Sequence, residues 1–488
     1  MAGTPPTIEA ALDPAERKRL EELERRARQL ATAIADDLRC RRFVAILGQW
    51  VPTEIKRLAQ RGKGDAGGRI RVLETVLGEL EQEIAVRQDS ARANDTLDAD
   101  ALVDGCYSPV IRAMRQRKLR LTSSHPVAWR EEPTPAVRAA LALTPLGVVP
   151  IPKRFHDSAA SWPLVFVGIG RDALVSSRGL ETALRSDLGL PAGQVGSRPL
   201  THDPLGLSVH EVVRVFGGWF SSMFGDVIAT LACGPAFLRM LAASGTFGGA
   251  GGEGEEGAES DDVSPAITVA FDQTGRRYAA EPPYYLRLLA CTAVLESMDM
   301  SEEAHEILAA WREHHGLWPG QPDMIRFPVG GGAGSMLGVP TGAIESIVEQ
   351  LVARLCQRPL PALDEASLRD IVGPVYDQAR HAAALILADE LLAGRTPDAG
   401  KDAGVLVAGA ALAVLARRAE TRQITGRART AIPGARERRS KDRGRTVLPG
   451  VAASARHDSG SWIEPSLIRD AVILREVIVR GPRRGFTR

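Results

Sequence analysis

The chain of 488 residues has few aromatic residues, few cysteines and almost no net charge. Its net charge of +1 leaves no overall field that would draw the molecule to nucleic acid or to an acidic membrane. The cysteines are scattered, and none forms a CxxC pair or another spacing typical of metal ligands. We therefore expect reduced, mostly buried thiols at Cys40, Cys106, Cys233, Cys291 and Cys356.

Long apolar runs are also missing from the sequence. Residues 1–20 are polar and lack the apolar centre of a signal peptide. The longest apolar candidate, residues 403–416, is rich in alanine and shorter than the ~18 residues that a membrane span requires. The sequence therefore predicts a cytoplasmic protein without a membrane span.

Amphipathic helices are the main pattern of the N-terminal part. Residues 13–47 predict one long helix, because Asp13 can cap it, Pro14 suits its first position and Glu16 completes a capping box. Apolar residues recur there at spacings of three and four, and again over residues 70–84 after a glycine-rich turn. The two helices predict an antiparallel hairpin packed within the chain, since the heptads are too few to indicate a coiled-coil partner.

The expected fold class is mainly α, with little strand. We predict an N-terminal amphipathic helical region over residues 8–145, a helical domain over 146–425, and a basic tail with a C-terminal segment over 426–488. Residues 146–155, with β-branched residues and prolines, predict a short edge strand or an extended lead-in. The acidic, glycine-rich residues 245–265 predict a disordered surface loop.

The chain becomes strongly basic near its C-terminal end. Residues 417–445 carry many arginines, which allows weak contact with nucleic acid or an anionic surface. No aromatic residues are interleaved to stack on bases, which favours a solvated tail. Residues 466–481 are apolar enough to pack back onto the body of the protein.

Residues 208–216 read SVHEVVRVF and begin like a zinc-protease helix. Such a helix needs a second histidine four residues after the first, so that both imidazoles face one ion, and the glutamate between them takes a proton from metal-bound water. Here Arg214 stands at the second position and offers no lone pair to zinc. His210 and Glu211 are therefore better explained as a coincidence on an ordinary helix.

Residues 219–237 read WFSSMFGDVIATLACGPAF. This segment resembles the helix that carries the third zinc ligand in some metallopeptidases of the HExxH…E class (gluzincin-like), which reads W-x-x-E-x-x-x-D before a Gly-Pro-Ala step. Trp219, Asp226 and the GPA step at 234–236 match that pattern. Ser222 stands where the glutamate ligand would be.

Two further segments resemble the same family. Residues 161–174, SWPLVFVGIGRDAL, are similar to W-P-x-x-x-H-E-x-x-H, with Val167, Gly168 and Arg171 at the positions of the two histidines and the glutamate. Residues 281–290, EPPYYLRLLA, look like an HPP-x-x-x-R helix start with glutamate in place of the histidine.

The resemblance covers roughly residues 146–320 and implies a degenerate zincin-like domain without a metal or cofactor. Every metal-binding and catalytic position would be lost, and Arg171 would place a fixed cation where zinc belongs. The helices bearing Val167 and Ser222 should pack side by side. Asp226 should pair with Arg171 or Arg214 and tie the two helices together.

Three functions remain open on the sequence alone. The first is a catalytically inactive metallopeptidase-like protein that acts as a binding or scaffold module for an unknown protein partner. The second is a working zinc-dependent peptidase or hydrolase, with ligands drawn from His202, His210, Glu211 and Asp226. The third is an unrelated helical protein that binds nucleic acid or a partner through residues 417–445.

Overall fold

The structure is a computed structural model, and its fold is mainly α, as predicted, with four short strands among the described residues. It describes residues 13–432 apart from 38, 62–65, 90–92, 131, 153–154, 192–199, 201–208, 246–266, 272–276, 316–323, 329–335 and 399–401. The described residues divide into two compact units: 13–100 with Thr122–Pro150, and Ala101–Leu121 with 151–432. The predicted boundary at 145/146 lies near the division after Pro150, but Ala101–Leu121 belongs to the second unit.

The first unit contains six helices and a small parallel sheet among its described residues. In chain order these are α1 (Pro14–Ala33), α2 (Arg41–Ala45), a π-helical turn (Ile46–Trp50), α3 (Val51–Arg61), α4 (Ala66–Gln88), the start of α5 (Ala93–Gln116), β1 (His125–Trp129), α6 (Pro135–Leu141) and β2 (Leu146–Pro150). β1 and β2 pair in parallel, with His125 opposite Leu146. The strand expected within residues 146–155 is thus present.

The N-terminal hairpin differs from the prediction in two ways. α1 begins as expected, with Asp13 and Glu16 forming the capping box, but it ends at Ala33 and does not continue to residue 47. After Ala33 the chain turns before α2, and within this connection the Arg39 N–H donates to the Asp37 side chain at 3.0 Å.

α1 and α4 also run parallel to each other, so the predicted antiparallel hairpin is wrong. Arg19 pairs with Glu74 and Arg26 pairs with Glu81, both at 2.7 Å, so both partners advance along the chain together. The break after α1 explains this direction, because α3 packs against both helices and carries the chain back between them.

The second unit is built mainly from helices. Its elements are the end of α5, a 3-10 turn (Ala159–Ser161), α7 (Leu164–Ser176), α8 (Leu180–Asp187), α9 (Val209–Cys233), α10 (Pro235–Gly245), α11 (Tyr284–Ser297), α12 (Ser301–His314), β3 (Met324–Pro328), β4 (Met336–Pro340), α13 (Thr341–Gln357), a 3-10 turn (Pro361–Leu363), α14 (Leu368–Val372), a 3-10 turn (Gly373–Val375), α15 (Gln378–Leu392), α16 (Ala403–Ala416), a 3-10 turn (Arg418–Glu420) and α17 (Thr421–Thr430). The antiparallel pair β3–β4 interrupts the predicted run of helices.

Two apolar helices form the centre of the second unit. α9 packs against α7, α11 and α16, and most of its apolar length is buried. Within the described residues, its stretch Glu211–Cys233 is long and apolar enough to cross a membrane, but a buried core helix meets the same criteria. α16 is buried along nearly all its length, and all five cysteines are free and buried as expected.

The basic segment begins as a packed helix rather than as the solvated tail that we predicted. Ile424, Thr425 and Ala428 on α17 are buried, and Thr425 accepts a hydrogen bond from the Ala159 N–H at 2.9 Å. Arginines alternate here with apolar residues at helical spacing, which gives α17 a face that can be buried. Residues 433–488, and the predicted loop after Gly245, lie outside the described residues.

Candidate functional site

Glycines allow α7 and α9 to cross at very short distance. A side-chain carbon built on Gly170 would lie 3.0 Å from the Gly225 Cα, and one built on Gly225 would lie 3.0 Å from the Val167 carbonyl oxygen. Any larger residue would therefore push the helices apart. The two helices pack side by side, as predicted from the resemblance.

This crossing brings together the positions that the resemblance assigns to metal ligands. Arg171 on α7 donates from Nη2 to the Ser222 Oγ on α9 at 2.9 Å. Val167 lies one turn earlier on α7, against Gly225. Gly168 is buried in the same helix.

Glu281 joins the cluster from the segment that leads into α11. The Arg171 Nη2 also donates to the Glu281 Oε1 at 3.0 Å, and the Glu281 Oε2 lies 3.9 Å from the Arg287 Nη1. Desolvation opposes ionisation of this carboxyl, but the positive charges of Arg287 and Arg171 outweigh it and hold the pKa of Glu281 below its usual value.

Asp226 pairs with Arg287, so the predicted partner, Arg171 or Arg214, was wrong. The Arg287 Nε and Nη2 each donate to one Asp226 carboxylate oxygen at 2.8 Å, and both side chains are buried. The planar guanidinium on α11 satisfies both oxygens at once. Arg171 is held one helical turn away by Ser222 and Glu281.

These five residues form one continuous chain of contacts, which we call the guanidinium network. The network runs in the order Ser222, Arg171, Glu281, Arg287 and Asp226. It begins and ends on α9, one turn apart, and passes through α7 and α11. Its two positive and two negative charges balance. Its hydrogen bonds join α7 and α11 to α9.

The arginines and Ser222 of the network are unsuited to binding a cation, and its two carboxylates already pair with those arginines. Guanidinium groups donate hydrogen bonds and have no lone pair for a metal, and Ser222 already accepts a bond from one of them. Among the described residues, no group of three or more His, Cys, Asp or Glu side chains could hold a metal ion.

The alternative zinc ligands fall mostly outside the described residues. His202 lies in an undescribed stretch, and His210 belongs to α9 while its side chain is not described. Glu211 is half-buried on the same helix, and Asp226 is fully engaged by Arg287. The alternative set therefore stays a prediction.

Sequence reasoning missed two charged residues of this region. Arg287 occupies the arginine position of the PP-x-x-x-R pattern, so that motif could have identified it as a partner for Asp226. Asp172, buried on α7, accepts a hydrogen bond from the Tyr107 hydroxyl of α5 at 2.7 Å. No signal in the sequence points to this second contact.

Comparisons of the chain with known protein families, with curated proteins and with solved structures gave no match.

Proposed function

We propose that the second unit is a catalytically inactive, metallopeptidase-like helical domain that serves as a binding or scaffold module. The observation that carries the proposal is the hydrogen bond between Arg171 and Ser222. These residues stand at two of the three ligand positions that the resemblance assigns, and the third, Val167, lies one turn away on the same helix.

The chemistry of the network supports the absence of catalysis. Hydrolysis by a zinc peptidase needs a metal-bound water and a carboxylate free to take its proton. Val167 and Gly168 offer neither ligand nor base, and Arg171 opposes a divalent cation at short range. The remaining carboxylates of the network, Glu281 and Asp226, are both engaged by arginines.

In this proposal the guanidinium network does the structural work that a metal does in an active relative. A zinc ion joins helices by binding ligands from each of them. Here the same helices are joined by charge-assisted hydrogen bonds, which keeps the scaffold without a reactive water. Binding of a protein partner is then the activity left to the domain.

Elemental analysis of protein purified without chelator tests the inactive state. We expect no stoichiometric zinc and no hydrolysis of an unfolded protein substrate, with or without added zinc. One equivalent of zinc that is lost in His210→Ala, but kept in His305→Ala, would contradict the proposal. That outcome would support the zinc-dependent hydrolase instead. His305 is a suitable control because it is exposed on α12 and pairs only locally, with Glu296 at 2.7 Å.

Rebuilding the ligands tests the resemblance itself. The variant Val167→His, Gly168→Glu, Arg171→His and Ser222→Glu should gain zinc affinity, seen as one bound equivalent and a rise in Tm on adding zinc. The matched control keeps Ser222 and changes the other three positions, and it should bind zinc at least about tenfold more weakly.

A double variant, Arg171→His with Ser222→Glu, changes only the two positions whose side chains already touch, and it perturbs the fold less than the four-residue variant. Circular dichroism establishes that each variant is folded. A folded four-residue variant without zinc affinity would show that the alignment to the metallopeptidase motif is wrong.

A further inference from the structure

A cleft within the second unit lies away from the guanidinium network. It is bounded by the second half of α5, by residues 370–375, and by the starts of α15 and α16. Its volume is about 640 Å³, and it is open to solvent. Cavities of roughly 300–1,000 Å³ are the usual size for small-molecule sites.

The two carboxylates that face this cleft already accept hydrogen bonds from the protein. Asp402 accepts hydrogen bonds from the Arg380 Nε at 3.0 Å and from the Val405 N–H at 3.1 Å. Asp370 accepts from the Ser367 hydroxyl at 2.7 Å as part of a capping box. Both carboxylates of the cleft are therefore already engaged.

Two arginines at the C-terminal end of α5 also line the cleft. Arg112 lies on α5, Arg117 directly follows its last residue, and both are exposed. The hydrogen bond from Ser367 and, to a smaller extent, the charge of Arg117 lower the pKa of Asp370. With Arg380, three guanidinium groups face two carboxylates, so the lining carries a net positive charge.

The start of α16 also lines the cleft through Ala403 and Gly404. The Asp402 carboxylate caps this helix end by accepting from the Val405 N–H, so the favourable position for an anion is already occupied within the chain. α15 begins nearby, with Arg380 in its first turn.

Much of the remaining lining is apolar. Pro109, Pro374 and Val375 contribute carbon surface between the arginines and the helix starts. An inorganic ion alone would leave most of the volume unfilled. The cleft is thus suited to a molecule with one strongly anionic group and an organic part.

We propose that this cleft binds a small organic phosphate ester. Arg112 and Arg117 would hold the phosphate, because two forked guanidinium donors match its several oxygens. Pro109, Pro374 and Val375 contact the organic part. The proposal rests on these residues alone and is independent of the function proposed above.

Isothermal titration calorimetry of the full chain tests this site. The probes are inorganic phosphate, ribose 5-phosphate and AMP, with ribose and adenosine as uncharged counterparts and citrate as a carboxylate. We expect one ester to bind with a Kd below about 1 mM and its uncharged counterpart to bind at least about tenfold more weakly. The ester should also bind more tightly than phosphate or citrate.

Variants locate the binding. Arg112→Gln with Arg117→Gln should weaken ester binding by at least about tenfold, since two charge-assisted contacts are lost. Arg115→Gln, on the same helix but outside the cleft, should change the Kd by less than about twofold. Ala113→Trp should weaken binding by filling the cleft while leaving every charge in place.

Three results would overturn the proposal. The first is that no ester binds below about 10 mM, a limit far weaker than an ordinary small-molecule site. The second is that the double arginine variant binds the ester as tightly as the unmodified chain. The third is that inorganic phosphate or citrate binds as tightly as every ester.

Discussion

Replacing Arg287 with methionine should strongly destabilise the second unit. Arg287 donates two hydrogen bonds of 2.8 Å to Asp226, whose side chain is 0% exposed. Methionine preserves much of the volume of the arginine but leaves this carboxylate buried without a partner. Each hydrogen bond to a charged group contributes about 1.5–3 kcal/mol, and breaking a buried ion pair costs about 3–5 kcal/mol. The free energy of unfolding should therefore fall by about 3–5 kcal/mol.

The double variant Asp226→Leu with Arg287→Met separates the loss of the pair from the cost of an unpaired charge. Apolar residues of similar size often replace a buried ion pair without loss of stability. We expect the free energy of unfolding of the double variant to lie within about 1.5 kcal/mol of that of the unmodified chain. Its stability should clearly exceed that of Arg287→Met alone.

Urea denaturation followed by circular dichroism and tryptophan fluorescence measures these differences. Trp162 and Trp219 are fully buried in the second unit, so their emission reports its unfolding. The control is Arg369→Met, because Arg369 pairs with Asp299 at 2.9 Å on the surface, where such pairs contribute about 0–1 kcal/mol. A loss of stability in Arg287→Met no larger than in Arg369→Met, or a double variant less stable than Arg287→Met, would contradict this prediction.

Two further predictions concern helix packing and a buried charge. Gly225→Ala should lower the free energy of unfolding by about 1–3 kcal/mol, because its new methyl group would lie 2.9 Å from the Val167 Cγ1. Gly426→Ala is the control, because a side-chain carbon built on Gly426 has no atom within 4 Å. It should stabilise α17 by up to about 1 kcal/mol in the same urea assay. Equal effects of the two substitutions would contradict the close crossing of α7 and α9. Burial outweighs the attraction of Arg87 and raises the pKa of Glu83 from 4.5 to about 7, so the protonated form favours the folded state. The contribution of Glu83 to stability should be fully present below about pH 4.5, and about 3 kcal/mol of it should be lost as the pH rises through 7. Glu83→Gln should flatten this dependence in thermal melts between pH 5 and 8, and an unchanged slope would refute it.

Part of the candidate site could be predicted from the sequence through the family resemblance. It placed Val167, Arg171 and Ser222 at positions that meet, and the structure brings Arg171 and Ser222 into hydrogen-bond contact. It gave the wrong partner for Asp226, because the choice depends on how far each arginine reaches across three packed helices. Arg287 is 61 residues from Asp226 along the chain, and nothing local links them.

The sequence by itself determined features that depend on neighbours within a few residues. The capping box of Asp13 and Glu16 starts α1, and the apolar residues of 403–416 form a buried helix. Capping bonds join groups two or three residues apart, and the apolar pattern is a property of one segment. Both are therefore visible without knowledge of the fold.

Only the tertiary structure decided the direction of packing and the pairing of buried charges. α1 and α4 both have apolar stripes that would suit an antiparallel hairpin, yet they lie parallel because α1 ends at Ala33 and α3 returns the chain before α4 begins. The guanidinium network likewise exists because Gly170 and Gly225 let α7 approach α9 closely enough for Arg171 to reach Ser222. Such contacts depend on distances through space between residues far apart in sequence, and these distances are set only when the whole core is packed.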